Sequence, residues 1–201
     1  MSVTSPAPRH AAGPRNNEFH WTTDRFYRAA AAGVFDDPGR LELIHGRIIE
    51  KMPYSPRHTA LIGHIAKRLR AVLNSAVTVR AEAAIHIAFD GEPIPDISVI
   101  RGDDLDYLAR HAAPEDVVLL VEVAISSERG DLGEKALLYA KAGISDYWVV
   151  LPEAGEIVVH RDPTEEGYQS VTRVGEDGAI RPLAAPEAVL SVRDLLGEGM
   201  P

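Results

Sequence analysis

The chain has 201 residues, of which 45% are apolar, and its net charge is −9 with no cysteine. This length and apolar content suit one domain with a sizeable core; the missing cysteine excludes disulfides and thiolate metal centres, leaving oxygen or histidine as metal ligands. The acidic balance argues against broad, non-specific affinity for nucleic acid, which rests on neutralising phosphates, though a locally basic groove stays open.

Residues 1–18 carry Pro6, Pro8, Gly13 and Pro14 with little to bury and read as a disordered tail, which leaves residues 19–201 as a single domain. The tail lacks the apolar segment of a secretory signal, and no stretch approaches the ~20 apolar residues that span a bilayer, so no membrane association and a cytoplasmic location are expected. Thr22-Thr23-Asp24 caps a short helix over Arg25 to Ala32, ended by Gly33. Leu41 to Ile44 and Arg47 to Glu50 read as a hairpin turning at His45-Gly46. Pro53 and Pro56 mark a loop. From Arg57 to Ala76, apolar residues fall at Leu61, Ile62, Ile65, Ala66, Leu69, Val72 and Leu73, the spacing of an amphipathic helix. Strands are expected at Val77 to Val79, Ala83 to Phe89 and Ile97 to Arg101, with a short polar helix or loop from Asp103 to Arg110. Val117 to Val123 is an almost wholly apolar run, the mark of a central strand buried on both faces. A second helix spans Leu132 to Ala142 with Gly143 as its stop. Strands follow at Asp146 to Leu151, Glu156 to His160 and Tyr168 to Val174, and Ser191 to Leu196 forms a terminal helical turn. The order gives a mixed α/β arrangement with a sheet between helices.

The exception inside the apolar run is Glu122. An ionised carboxylate there costs several kcal/mol unless a protein cation or a bound metal compensates it. Asp96 opens the preceding strand, 26 positions earlier, so the two acids can lie on adjacent strands and share one magnesium through oxygen ligands. Lys135 heads the next helix and can stabilise charge at a phosphate. The alternative is an internal ion-pair cluster, with Asp131 and Lys135 as an ordinary surface pair at i, i+4. The residues alone weigh the two equally. Arg57, Lys67 and Arg68 lie on one side of the long helix, as does His64; they are candidate phosphate contacts or a solvated face. Glu82 alternates with Ala84 and His86 on one strand face, as a possible site neighbour or an outer-face residue. Tyr147 and Trp148 read as core.

Glu42-Leu43-Ile44-His45-Gly46, Pro95-Asp96-Ile97-Ser98-Val99, Val121-Glu122-Val123, Ser126, Lys135, Tyr139 and Gly143 to Val150 follow in an order that resembles the Uma-two family of restriction-endonuclease-like proteins, in the P-D…(D/E)-x-K nuclease superfamily. The resemblance covers about residues 20 to 198. It implies a restriction-endonuclease-like α/β fold, a central mixed sheet flanked by helices with an N-terminal helix-hairpin extension. It implies a magnesium- or manganese-dependent nuclease acting on nucleic acid, DNA above all, as a homodimer. Asp96 and Glu122 would be its metal ligands and catalytic residues together with Lys135. Glu42 would assist as a further ligand, and His58 would line the site; their bland readings are a solvated strand glutamate and a helix-capping histidine. The superfamily lysine two positions after the acid is replaced here by Ala124, and Lys135 takes its place. Family members often carry acids where this chain has His45 and Arg47. The rival reading is a catalytically silent binding or regulatory module of the same fold.

Overall fold

The computed structural model describes residues 19–52 and 55–197; the expected N-terminal tail and Pro53 of the expected loop lie outside them. Thr22 is extended and its hydroxyl accepts from the Arg25 N–H, starting α1 (Thr23–Ala31). The hairpin forms as expected from β1 (Leu41–Ile44) and β2 (Arg47–Glu50). Its turn residues His45 and Gly46 both take positive φ, 49° and 70°, the conformation that matches strand twist in a two-residue turn.

Helix α2 (Pro56–Val72) starts at the proline that the sequence reads as loop. Proline has no N–H to lose at the first helical position, and the Ser55 hydroxyl caps the turn by accepting from the His58 N–H. The helix ends at Val72, four residues before the expected Ala76. There the Asn74 side chain accepts from the Ala76 N–H, a local turn that competes with helix.

Strands β3 (Val77–Ala81), β4 (Ile97–Arg101) and β5 (Val117–Val123) follow. Residues 83–89 do not form the expected strand: Ile85 and Ile87 make isolated bridges to Ala112 and Gly91. Glu82 and Ala88 take φ of 52° and 49°, so the chain is redirected on both sides of the segment. After β5, α3 (Glu128–Gly130) runs through a π-helical turn, Asp131–Lys135, into α4 (Ala136–Lys141), so the second helix begins earlier than its periodicity suggests. Gly143, at φ 78°, stops it. The chain ends in β6 (Asp146–Leu151), β7 (Glu156–Thr164), β8 (Gly167–Gly175), β9 (Ala179–Ile180), β10 (Leu190–Ser191) and α5 (Val192–Leu195).

Six strands form one sheet in the order β3-β4-β5-β6-β7-β8. β5 and β6 are parallel, joined by the α3–α4 crossover, and the other pairs are antiparallel. Side chains alternate across β5. Val121 and Val123 belong to the core shared with Ile65 and Leu69 of α2 and Leu195 of α5, whereas Leu120 belongs to the core shared with Tyr139 of α4 and Ile44 of β1. Glu122 shares the parity of Leu120, so it faces α4 and the hairpin. This is the expected sheet between helices. Tyr147 and Trp148 are buried core, as expected.

Candidate active site

Asp96 stands one residue before β4, and Ile97 pairs with Val121, which brings its carboxylate beside Glu122. The Asp96 N–H donates to Glu122 Oε2 at 3.3 Å, and the Val123 N–H donates to Asp96 Oδ2 at 2.8 Å. Lys135 Nζ, from the π-helical turn, lies 3.0 Å from Glu122 Oε1, 2.9 Å from Glu42 Oε1 and 3.9 Å from Asp131 Oδ1. The Tyr139 hydroxyl, one turn on, donates to the same Glu122 oxygen at 3.0 Å. Glu42, on β1, also accepts from the Ile94 N–H at 2.7 Å. His58 Nε2, from the first turn of α2, meets Asp96 Oδ2 at 3.1 Å. All four acids are 2–3% exposed and Lys135 is 9% exposed.

Asp96, Glu122, Lys135, Glu42, Asp131 and His58 line a cleft of about 350 Å³ whose walls also include Ile44, Lys51, Val123, Ser127 and Arg129. The electrostatics separate the two central acids. Burial alone would raise the Asp96 carboxyl, but the His58 hydrogen bond and the Lys51 ammonium outweigh it and hold it down at about 2. Burial pushes Glu122 up to about 8 against the pull of Lys135. Lys135 itself stays charged: burial disfavours its ammonium, but Glu122 and Glu42 more than offset this. A cation divided among three carboxylates cannot fully stabilise each one. Burial likewise raises Asp131, which accepts a 2.5 Å hydrogen bond from the Ser127 hydroxyl.

Asp96, Glu122, Lys135, Glu42 and His58 thus converge. The remaining candidates do not join them. Glu82 is exposed and outside the cleft lining; its backbone N–H donates to the Asp96 carbonyl. Arg57 pairs with Glu153, and Arg68 with Asp194 at 2.6 Å, while His64 bonds the Asp194 carbonyl. Lys67 is exposed on that helix. The basic side of α2 therefore packs in part against the C-terminal helix and does not form one open cationic surface. The Asp131–Lys135 pair, an ordinary surface pair in the alternative reading, is buried. Two further groups of the site, Lys51 and the Tyr139 hydroxyl, have no role that the sequence alone assigns. Lys51 directly follows the strand that pairs with Glu42's strand, and its Nζ meets Asp96 Oδ1 at 3.1 Å; that adjacency to the hairpin was a usable signal.

The donor chemistry suits a hard divalent cation. Asp96 and Glu122 offer carboxylate oxygens side by side at the cleft. Among the described residues no group of three or more His, Cys, Asp or Glu converges as a ready-made cage. The fit is therefore to an ion that keeps several waters and takes one or two carboxylates, as magnesium and manganese do.

A family described as "Uma2: Putative restriction endonuclease" matches residues 24–193. No curated protein matches. Among solved structures, the crystal structure of "a putative nuclease belonging to DUF820" from Anabaena variabilis ATCC 29413 is similar with a TM-score of 0.65, at 22% identity, covering 78% of this chain and 89% of that one. At that identity the likeness carries the fold.

Proposed function

The chain belongs to the Uma2 family over residues 24–193, and from that premise we propose that it is a metal-dependent nuclease hydrolysing phosphodiester bonds of DNA. The observation that carries this reading is the convergence of Asp96, Glu122 and Lys135, from two strands and a helix, on one cleft. Asp96 and Glu122 would hold magnesium or manganese. When bound there, such an ion polarises a phosphate oxygen and acidifies its water. Asp96 is ready for this role, because its environment keeps it ionised. The Lys135 ammonium, fixed by Glu42 and Glu122, stabilises negative charge developing at the attacked phosphate. Tyr139 and the Asp96 N–H hold Glu122 in its rotamer, and His58 does the same for Asp96. The reading extends to a homodimer, in which two such clefts would address the two strands of a duplex.

One observation favours a second reading, a catalytically silent binding module. Each acid of the cluster already has a protein partner without a metal, a lysine ammonium or, for Asp131, also the Ser127 hydroxyl. Nicking of supercoiled plasmid in manganese separates the two. The nuclease reading expects cleavage by the parent and none by Asp96→Asn or in the presence of a chelator. A manganese-loaded parent that leaves plasmid, single-stranded DNA and RNA intact would hand the site to the second reading.

A further inference from the structure

Lys51 sits just beyond β2, on the two-stranded hairpin, whereas Asp96 belongs to the main sheet. Its ammonium donates to Asp96 Oδ1 at 3.1 Å and to the Ile94 carbonyl at 2.8 Å. Its side chain is 11% exposed, as covered as that of Lys135. The other Asp96 oxygen, Oδ2, is held by His58 and by the Val123 N–H. The two oxygens of this carboxylate therefore differ. Oδ2 is tied to a helix and to the central strand, both rigid parts of the fold. Oδ1 is tied to a flexible four-carbon chain on a separate hairpin. A cation arriving at Asp96 meets a positive charge already within hydrogen-bond distance of Oδ1, and two cations on one carboxylate oxygen repel.

We propose that Lys51 is an exchangeable counter-ion: it neutralises Asp96 in the empty cleft, yields that carboxylate to a divalent metal, and then contacts a substrate phosphate. The inference rests on the metal-dependent reading above. The Ile94 carbonyl supports the exchange, because it gives the ammonium a second acceptor and keeps it at the cleft when Asp96 is taken. Lys51, Glu50 and Met52 all line the cleft, so an ammonium released there remains on the side from which a phosphate enters. The device lowers metal affinity in the absence of substrate and adds a phosphate contact in its presence. A lysine with a purely structural role would not combine the two effects.

The test uses the full chain and calorimetric titration with manganese alone, followed by duplex DNA binding in calcium, a larger ion that holds cleavage back. Removing the competing charge should tighten manganese binding by about tenfold in Lys51→Met and in Lys51→Gln. Lys51→Arg keeps the charge and should bind manganese as the parent does. In DNA binding, Lys51→Met and Lys51→Gln should be weaker than the parent, with a salt slope smaller by about 1. Melting curves verify that each variant is folded, and the glutamine variant serves if the methionine variant is not. Manganese affinity that is unchanged or weaker in the folded neutral variants overturns the exchange, and unchanged DNA affinity and salt slope overturn the phosphate contact. If the parent binds no manganese, the metal-dependent reading itself falls, and the exchange falls with it.

Discussion

Lys135 compensates more buried charge than any other side chain of the cleft. Its ammonium is the cation closest to Glu42 and Glu122, and Asp131 is within 3.9 Å. Truncating one member of a buried ion cluster leaves its partners uncompensated, a loss of about 3–5 kcal/mol. Lys135→Ala should therefore lose stability as well as cleavage, the latter by ~10²–10³. The stability loss should be larger at pH 8 than at pH 5, because the stranded carboxylates can take up protons at the lower pH. Urea denaturation at both values measures this, with the exposed Lys141→Ala as the control; equal small losses in the two variants would place Lys135 at the surface energetically. The position of this lysine was legible through the family resemblance, which sets Lys135 in the place of the superfamily lysine that Ala124 lacks. Its burial was not. A pair at i, i+4 looks the same on a solvated face as in a core, and only the sheet and hairpin closing over the π-helical turn decide between them. The convergence of His58 on Asp96 was equally out of reach, because 38 positions and several changes of direction separate them.

The central strand was readable to the residue, whereas the periodic helices were readable in place but not at their ends. β5 is Val117–Val123 as its apolar run indicates, because a strand covered on both faces has no polar side to obscure its ends. The segment 83–89 shows the limit. Ile85 and Ile87 are buried, as the alternation indicates, yet there is no ladder, because alternation reports which side chains turn inward and not whether a neighbouring strand is present. β7 and β8 carry a consequence that the pattern did not show. His160 on β7 is buried between Tyr147 and Tyr168, with ring centroids 5.1 Å and 5.4 Å away. Burial lowers its pKa below the ordinary 6.5. The unfolded chain then binds a proton more readily than the folded one. This residue's contribution to stability is present above pH 6.5 and is lost as pH falls through its lower folded value. Melting temperatures followed from pH 7.5 to 5 should fall more steeply in the parent than in His160→Phe, which keeps an aromatic ring in the stack. Parallel pH profiles would remove His160 from the acid response.

At the scale of the whole molecule, the net charge of −9 goes with local pairing of many cations among the described residues. Many surface cations are paired with local acids, Arg57 with Glu153, Arg110 with Asp116 and Arg173 with Glu156. No helix among the described residues is long and apolar enough to cross a membrane. The cleft itself is shared between two bodies of unequal strength. Asp96 and Glu122 sit at the centre of a six-stranded sheet, where β5 is hydrogen-bonded on both sides. Glu42 and Lys51 ride on a two-stranded hairpin whose backbone attachment to the rest includes the paired bonds between Leu43 and Glu92. Opening a two-stranded unit requires far less free energy than opening a central strand. Native-state hydrogen exchange should accordingly show the paired amides of β1 and β2 exchanging through a local opening, and those of β5 only through global unfolding. Exchange of both sets at one common free energy would mean the hairpin is locked to the sheet. With unequal protection, one wall of the cleft breathes while the other keeps its two carboxylates aligned; on the metal-dependent reading proposed above, a molecule as thick as a duplex would enter without the protein dismantling the part that would hold the metal.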